Sequence, residues 1–204
     1  MAPTKLTYFN GKGLAEPIRF LLSYSGEEFI DHRVDYAKEW ATLKPSIPFG
    51  KLPLLEFDGK VHSQSLAICR YLGKKNNIAG KDDYEALKID TIVDVIGDLR
   101  TALSSYSYDT NDESKEKKYK VLVDTTIPFY MSSLDKEVKN NQGYFVNGKL
   151  TWADLYFVAV FEYMNVVAKF DMIEKYPNLV ELKKKILAIP SIKAWVDKRP
   201  ASEF

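Results

Sequence analysis

Two places in this sequence combine residue types and spacing that could hold a ligand. The run Lys51-Leu52-Pro53-Leu54-Leu55-Glu56-Phe57 carries a proline near its start, and a proline, having no N–H, belongs at the beginning or edge of a strand. Leu52-Pro53 is therefore a candidate cis peptide; in that form the N–H and C=O of Leu52 are free to pair with an extended peptide, as in strand addition. The plain alternative is a trans proline that merely starts a strand. Gln64-Ser65 stands where a helix is predicted to begin. Unpaired N–H donors and the positive end of the helix dipole suit a carboxylate there, and the Ser hydroxyl adds one more donor. The alternative is that Ser63 or Ser65 simply caps the helix. Taken together, a position that pairs with peptide backbone and a nearby one that holds a carboxylate imply a short acidic peptide.

The elements that must position these residues follow from the hydrophobic pattern. Lys5 to Phe9 reads as a strand broken by Gly11 and Gly13. Leu14 to Tyr24 reads as a helix with Leu14, Ile18, Leu21 and Leu22 on one face and Gly26 at its stop. Phe29 to Val34 reads as a second strand, followed by a polar stretch. Lys51 to Phe57 and Lys60 to His62 then form a hairpin around an Asp58-Gly59 turn, and Ser63 to Lys75 forms a helix. This βαβ-ββα order, with a proline opening the third strand, suggests a thioredoxin-like domain. In enzymes of that fold the end of the first strand carries the working group, usually a cysteine; here the segment Thr7 to Gly13 has none. Tyr8 is the best remaining polar group, and its phenol could donate a hydrogen bond to a sulfur anion. A thiol of pKa near 8.5 is only about 3% ionised at pH 7. Lowering that pKa by about two units takes about 2.7 kcal/mol, near the upper end for one charge-assisted hydrogen bond. A core tyrosine is the ordinary alternative.

After Asn76 to Asp82, read as a linker, the pattern is helical throughout: Tyr84 to about Tyr106, Glu113 to about Asn140, Thr151 to about Lys169, and Pro177 to about Lys198 with a break at Pro190. Thr151-Trp152-Ala153-Asp154 resembles a capping box with Asp in place of Glu. The fold class expected is thus an α/β N-terminal thioredoxin-like domain over 1–78 and an all-α C-terminal domain over 79–204.

Composition narrows the chemistry. The chain has 204 residues, 46% hydrophobic and 28% charged, which excludes disorder and fibrous repeats. Its 29 Lys+Arg against 28 Asp+Glu give a net charge of +1, without the electrostatic footprint of a nucleic-acid binder. A single Cys69 rules out an intramolecular disulfide or a dithiol centre, and two His add little toward zinc. No metal is expected. The first residues carry no long apolar segment, and the longest apolar run, Leu155 to Phe161, falls far short of a membrane span. We expect a soluble, cytoplasmic protein that acts on neither nucleic acid nor membrane.

Leu6-Thr7-Tyr8-Phe9, Glu16-Pro17-Ile18-Arg19, Pro48-Phe49-Gly50-Lys51-Leu52-Pro53, Gln64-Ser65-Leu66-Ala67-Ile68 with Arg70-Tyr71-Leu72, and Leu150-Thr151-Trp152-Ala153-Asp154 together resemble sigma-class glutathione S-transferases, the insect members in particular. The resemblance runs essentially end to end. It implies the glutathione transferase fold, a homodimer with two active sites, and glutathione as the acidic peptide. By that resemblance Tyr8 stabilises the glutathione thiolate, and Trp40 and Lys44 meet the glycine end. Gly50, Lys51, Leu52 and Pro53 bind the peptide backbone, and Gln64 and Ser65 hold the γ-glutamyl carboxylate. Asp98 reaches the glutathione of the other subunit. A pocket for the apolar second substrate is expected from Phe9, Gly13, Tyr106, Tyr108, Tyr156, Val160 and Phe204. Two positions depart from the family pattern. Leu14 stands where several members have an arginine near glutathione. Gly97, between Asp94 and Asp98, stands where prostaglandin D synthase members have a carboxylate. The implied activity is conjugation of glutathione to apolar electrophiles such as lipid-peroxidation products and xenobiotics. A glutathione-dependent isomerase of the prostaglandin D synthase type is the same-fold alternative, and a non-catalytic crystallin-like or ligand-sequestering protein the alternative of another class.

Overall fold

A computed structural model of the chain describes residues 3–202. Four strands, β1 (Thr4–Phe9), β2 (Phe29–Val34), β3 (Leu54–Phe57) and β4 (Lys60–Ser63), form one sheet in the order β2-β1-β3-β4. β1 and β2 are parallel, joined by helix α1 (Glu16–Tyr24); β3 and β4 form the antiparallel hairpin, with Asp58 and Gly59 both at positive φ as a two-residue turn requires. A short helix α2 (Trp40–Leu43) and two single 3₁₀ turns, Lys44–Ser46 and Pro48–Gly50, occupy what the sequence showed only as a polar stretch. Four residues are too few to display a helical period. Helix α3 (Ser65–Lys75) follows the hairpin, and Leu52-Pro53 is cis.

The remainder is helical: α4 (Asp83–Ser107), α5 (Asp112–Val121), α6 (Ile127–Asn140), α7 (Trp152–Ala168), α8 (Pro177–Leu187) and α9 (Pro190–Lys198). The single helix expected over 113–140 is interrupted at Leu122–Thr126 by a widened π turn. Pro128 stands just after it and has no N–H to give to the carbonyl four residues back, so the ladder adjusts there. A lone antiparallel bridge, Val146 to Lys149, closes the loop before α7. No helix among the described residues is long and apolar enough to cross a membrane.

One hydrophobic core runs through both halves, from Leu6, Phe20 and Ile68 to Ile89, Phe157 and Ile192. At the junction α3 meets α7 where Gly73 faces Trp152: a Cβ built on Gly73 would lie 2.9 Å from the indole ring. Gly73→Ala is expected to lower stability by about 1–3 kcal/mol, the usual effect of overpacking a fixed neighbour; an unchanged urea midpoint would show that the indole yields. Helix α7 starts with the capping box. Asp154 Oδ2 accepts from the Thr151 N–H (2.7 Å) and hydroxyl (2.8 Å), Oδ1 accepts from the Phe145 N–H (2.9 Å), and the Trp152 N–H donates to the Ile78 carbonyl at 2.9 Å. Cys69 lies wholly inside α3, and burial pushes its thiol far above the ordinary range.

Candidate active site

Strand register brings the separate sequence signals together. Thr7 lies opposite Leu54, and Leu54 opposite Ser63. Because both pairings are antiparallel, the next residues along β1 and β4 and the preceding residues of β3 emerge at one end of the sheet. Those residues are Tyr8, Gln64 with Ser65, and Leu52 with Pro53. Gln64 enters α3 at φ +74°, and no side chain caps that helix start. The cis bond, the open helix N-terminus and the phenol therefore share one rim.

The segment after β2 completes this rim. Trp40 stands edge-on to Phe9 with ring centroids 5.0 Å apart, and Lys44 Nζ lies 5.9 Å from the Trp40 ring. The Lys44 stem passes over Gly50, 3.6 Å from where a Cβ would sit. Lys51 is exposed beside them. Asp98 is exposed on α4 but lies two residues from Arg100, about 200° around the helix, so it faces away from the Tyr8 rim of its own chain.

Tyr8 is held by the loop that follows it. The Leu14 N–H donates to the Tyr8 hydroxyl oxygen at 3.3 Å. Gly13, at φ +40°, comes so close that a Cβ there would be 2.6 Å from the hydroxyl oxygen, so only glycine fits. Burial is the largest influence on this phenol and raises its pKa; the Leu14 hydrogen bond opposes it and the neighbouring Tyr163 and Tyr108 reinforce it. The phenol thus stays protonated at neutral pH and keeps a proton to donate.

A cavity of about 240 Å³ opens beside it, walled on one side by Tyr8, Phe9, Gly11, Gly13 and Leu14 and on the other by Arg100, Ser104, Tyr108 and Tyr163. Larger hollows, of about 560 Å³ near Gly80 and Lys149 and about 380 Å³ between α4 and α6, adjoin none of Tyr8, Pro53 or Ser65. Of the expected pocket residues, the structure places Phe9, Gly13 and Tyr108 on the cavity wall. Tyr106 lies elsewhere, buried against Tyr119 at 5.0 Å between ring centroids; positions two apart on a helix point in nearly opposite directions. Tyr156 and Val160 are core, because α7 is buried at every position from Trp152 to Phe161 and begins to emerge only from Glu162 onward. Phe204 lies outside the described residues. Arg100 and Ser104 escaped the sequence reading although they stand eight and four residues before Tyr108, on the same helical face; that spacing was the available signal. Arg100 Nε is buried and has no hydrogen-bond partner among the described residues. Among the described residues no group of three or more His, Cys, Asp or Glu side chains is arranged to hold a metal ion.

The glutathione S-transferase N-terminal domain family matches residues 4–74, and the glutathione S-transferase C-terminal domain family matches residues 97–199. The chain belongs to the glutathione S-transferase family. It is 44% identical to a glutathione S-transferase of Anopheles gambiae, over all of both chains. It is 45% identical to glutathione S-transferase S1 of Drosophila melanogaster, over 97% of this chain and 79% of that one. Among solved structures, prostaglandin synthase D of Nilaparvata lugens is 43% identical, with a TM-score of 0.94 over 98% of this chain and 100% of the other. This glutathione S-transferase is thus an enzyme of a family whose co-substrate is glutathione, and the resemblance to insect members holds along the whole chain.

Proposed function

We propose that this glutathione S-transferase is a cytoplasmic, sigma-class homodimer that detoxifies apolar electrophiles, with residues 1–78 binding glutathione and 79–204 shaping the second-substrate site. The observation that carries this reading is the convergence of a protonated, loop-held Tyr8 phenol, the cis Leu52-Pro53 and the uncapped start of α3 on one rim. Glutathione laid across it would pair its cysteinyl backbone with Leu52, beside Gly50, Lys51 and Pro53. Its γ-glutamyl carboxylate would sit on Gln64 and Ser65, and its glycine end on Trp40 and Lys44. Its sulfur would accept the Tyr8 proton's hydrogen bond. Exposed Phe49, Tyr71, Tyr84 and Leu87 supply apolar surface for a second copy, whose glutathione Asp98 would reach.

Arg100 supports a choice of electrophile. As the thiolate sulfur bonds to the β-carbon of an α,β-unsaturated aldehyde, negative charge grows on the carbonyl oxygen. The guanidinium of Arg100, whose side chain lines the cavity wall, would be a donor for that oxygen. This favours lipid-peroxidation aldehydes. Arg100→Met is expected to lower kcat/KM about tenfold or more on such an aldehyde, the effect of losing one charged hydrogen bond, and far less on a carbonyl-free aryl halide; equal losses on both would remove Arg100 from the chemistry. The similarity to prostaglandin synthase D of Nilaparvata lugens supports a second reading, a glutathione-dependent isomerase of the prostaglandin D synthase type. Product analysis separates the two: conjugation consumes one glutathione per product, whereas isomerisation returns it.

A further inference from the structure

The loop that holds Tyr8 is itself held by a closed chain of ionic contacts. Arg19, with no exposed surface, donates from Nη1 to the Gly11 carbonyl (2.8 Å) and to Glu16 Oε2 (3.0 Å), and from Nε to Asp31 Oδ1 (2.9 Å). Glu16, equally buried, accepts on Oε1 from Trp195 Nε1 (2.8 Å) and Arg199 Nη1 (2.7 Å). Arg199 turns its second nitrogen, Nη2, onto both oxygens of Glu162, at 3.0 and 2.7 Å. Glu162 then pairs with Lys12 Nζ at 3.3 Å. The circuit leaves the loop at Gly11, crosses into the helical half through α9, and returns at Lys12, one residue along. Gly13 and the Leu14 N–H, which touch the Tyr8 hydroxyl, follow at once. A bidentate guanidinium between two carboxylates fixes distance and orientation better than a single point contact.

We propose that Arg199 and Glu162 are positioning residues: from the helical half they set the place of the Gly11 to Leu14 loop, and through it the hydrogen bond by which Tyr8 acidifies the bound thiol. This rests on Tyr8 being the thiolate donor. A tightened loop keeps the Leu14 N–H on the phenol oxygen, which polarises the O–H toward the sulfur. A slack one lets the phenol rotate away.

The test is titration of the glutathione thiolate by its ultraviolet absorbance in the full-length enzyme, alongside kcat and KM for glutathione, in Arg199→Gln, Glu162→Gln, Tyr8→Phe and the Arg199→Gln/Tyr8→Phe double variant. Arg199→Gln and Glu162→Gln are expected to raise the bound thiol pKa by about half to one unit and to lower kcat at neutral pH about 3- to 10-fold, following the thiolate fraction. KM for glutathione should change less than twofold. Arg199→Lys should recover part of the shift. The double variant should show no shift beyond Tyr8→Phe alone, because both act through one hydrogen bond. Lys193→Gln, which breaks an exposed pair with Asp197 on α9, should leave all values unchanged. A lowered melting temperature with an unmoved thiol pKa, or additive shifts in the double variant, would overturn the proposal. Should Arg199→Gln not fold, Lys12→Met carries the same readout from the other end of the circuit. If Tyr8→Phe leaves the thiol pKa unmoved, the thiolate-donor reading itself fails and the proposal goes with it. A shift with Tyr8→Phe but none with the others sinks the circuit alone.

Discussion

Tyr8→Phe is expected to move the alkaline rise of conjugation upward by about one to two pH units and to cut kcat/KM at pH 7 about 10- to 100-fold. The figure comes from removing one hydrogen bond to a charged sulfur, worth about 1.5–3 kcal/mol, converted at 1.36 kcal/mol per pKa unit. The sign follows from which form the phenol favours. Tyr8 donates only to the thiolate, so deleting the hydroxyl destabilises the ionised form alone and the bound thiol pKa rises. The phenol's own ionisation should not appear near neutrality, because burial raises its pKa from the ordinary tyrosine value. The ring should stay packed, since Tyr8 rests against Phe9 with centroids 5.5 Å apart. Turnover that stays at the wild-type level across the neutral range would remove Tyr8 from catalysis.

Asp154→Ala is expected to lower stability by about 3–7 kcal/mol. Loss of a helix cap accounts for about 1 kcal/mol. The variant also strands the buried N–H of Phe145 and leaves the Thr151 hydroxyl without its acceptor, each unmet buried group adding about 1–3 kcal/mol. Against a typical total of about 5–15 kcal/mol, that loss threatens folding, and a denaturant titration reads it directly. Burial pushes the Asp154 carboxyl up to about 6 despite its hydrogen bonds. The folded chain therefore binds this proton more tightly than the unfolded chain, whose aspartate titrates near 3.9. Its contribution to stability is full below about pH 4 and is lost as pH rises through 6. Asp154→Asn should flatten that part of the pH–stability curve; an unchanged curve would place the titration elsewhere.

What the sequence disclosed was decided by periodicity and local chemistry. The strands and crossover helix follow from hydrophobic period, while the Asp58-Gly59 turn and the Thr151 to Asp154 cap rest on residues adjacent in the chain; Pro53 made a cis bond a candidate, and the fold realises it. The candidate site was legible where strand register collects such signals, at Tyr8, Leu52 and Gln64, which the fold brings to one end of the sheet. It was hidden where side-chain direction decides. Tyr106 and Tyr108 look alike in sequence, yet the helix sends one into the core and the other to the cavity. Tyr156 and Val160 fit an apolar pocket by type, but the wholly buried first part of α7 gives them to packing. Arg100 gave no signal of its own in the sequence; its place emerges only when the fold turns its helix face toward Tyr8. The short α2 and its 3₁₀ turns left no period to detect.

The placement of Cys69 bears on durability. An enzyme that ripens soft electrophiles for attack by sulfur exposes its own sulfur nucleophiles to the same reagents. Here the chain's single cysteine is shut within α3, and burial holds its proton on, so at working pH it offers neither access nor thiolate. The protein can process thiol-seeking compounds without being slowly alkylated by its own substrates, and the sulfur they meet is the one that arrives with glutathione and departs with the product.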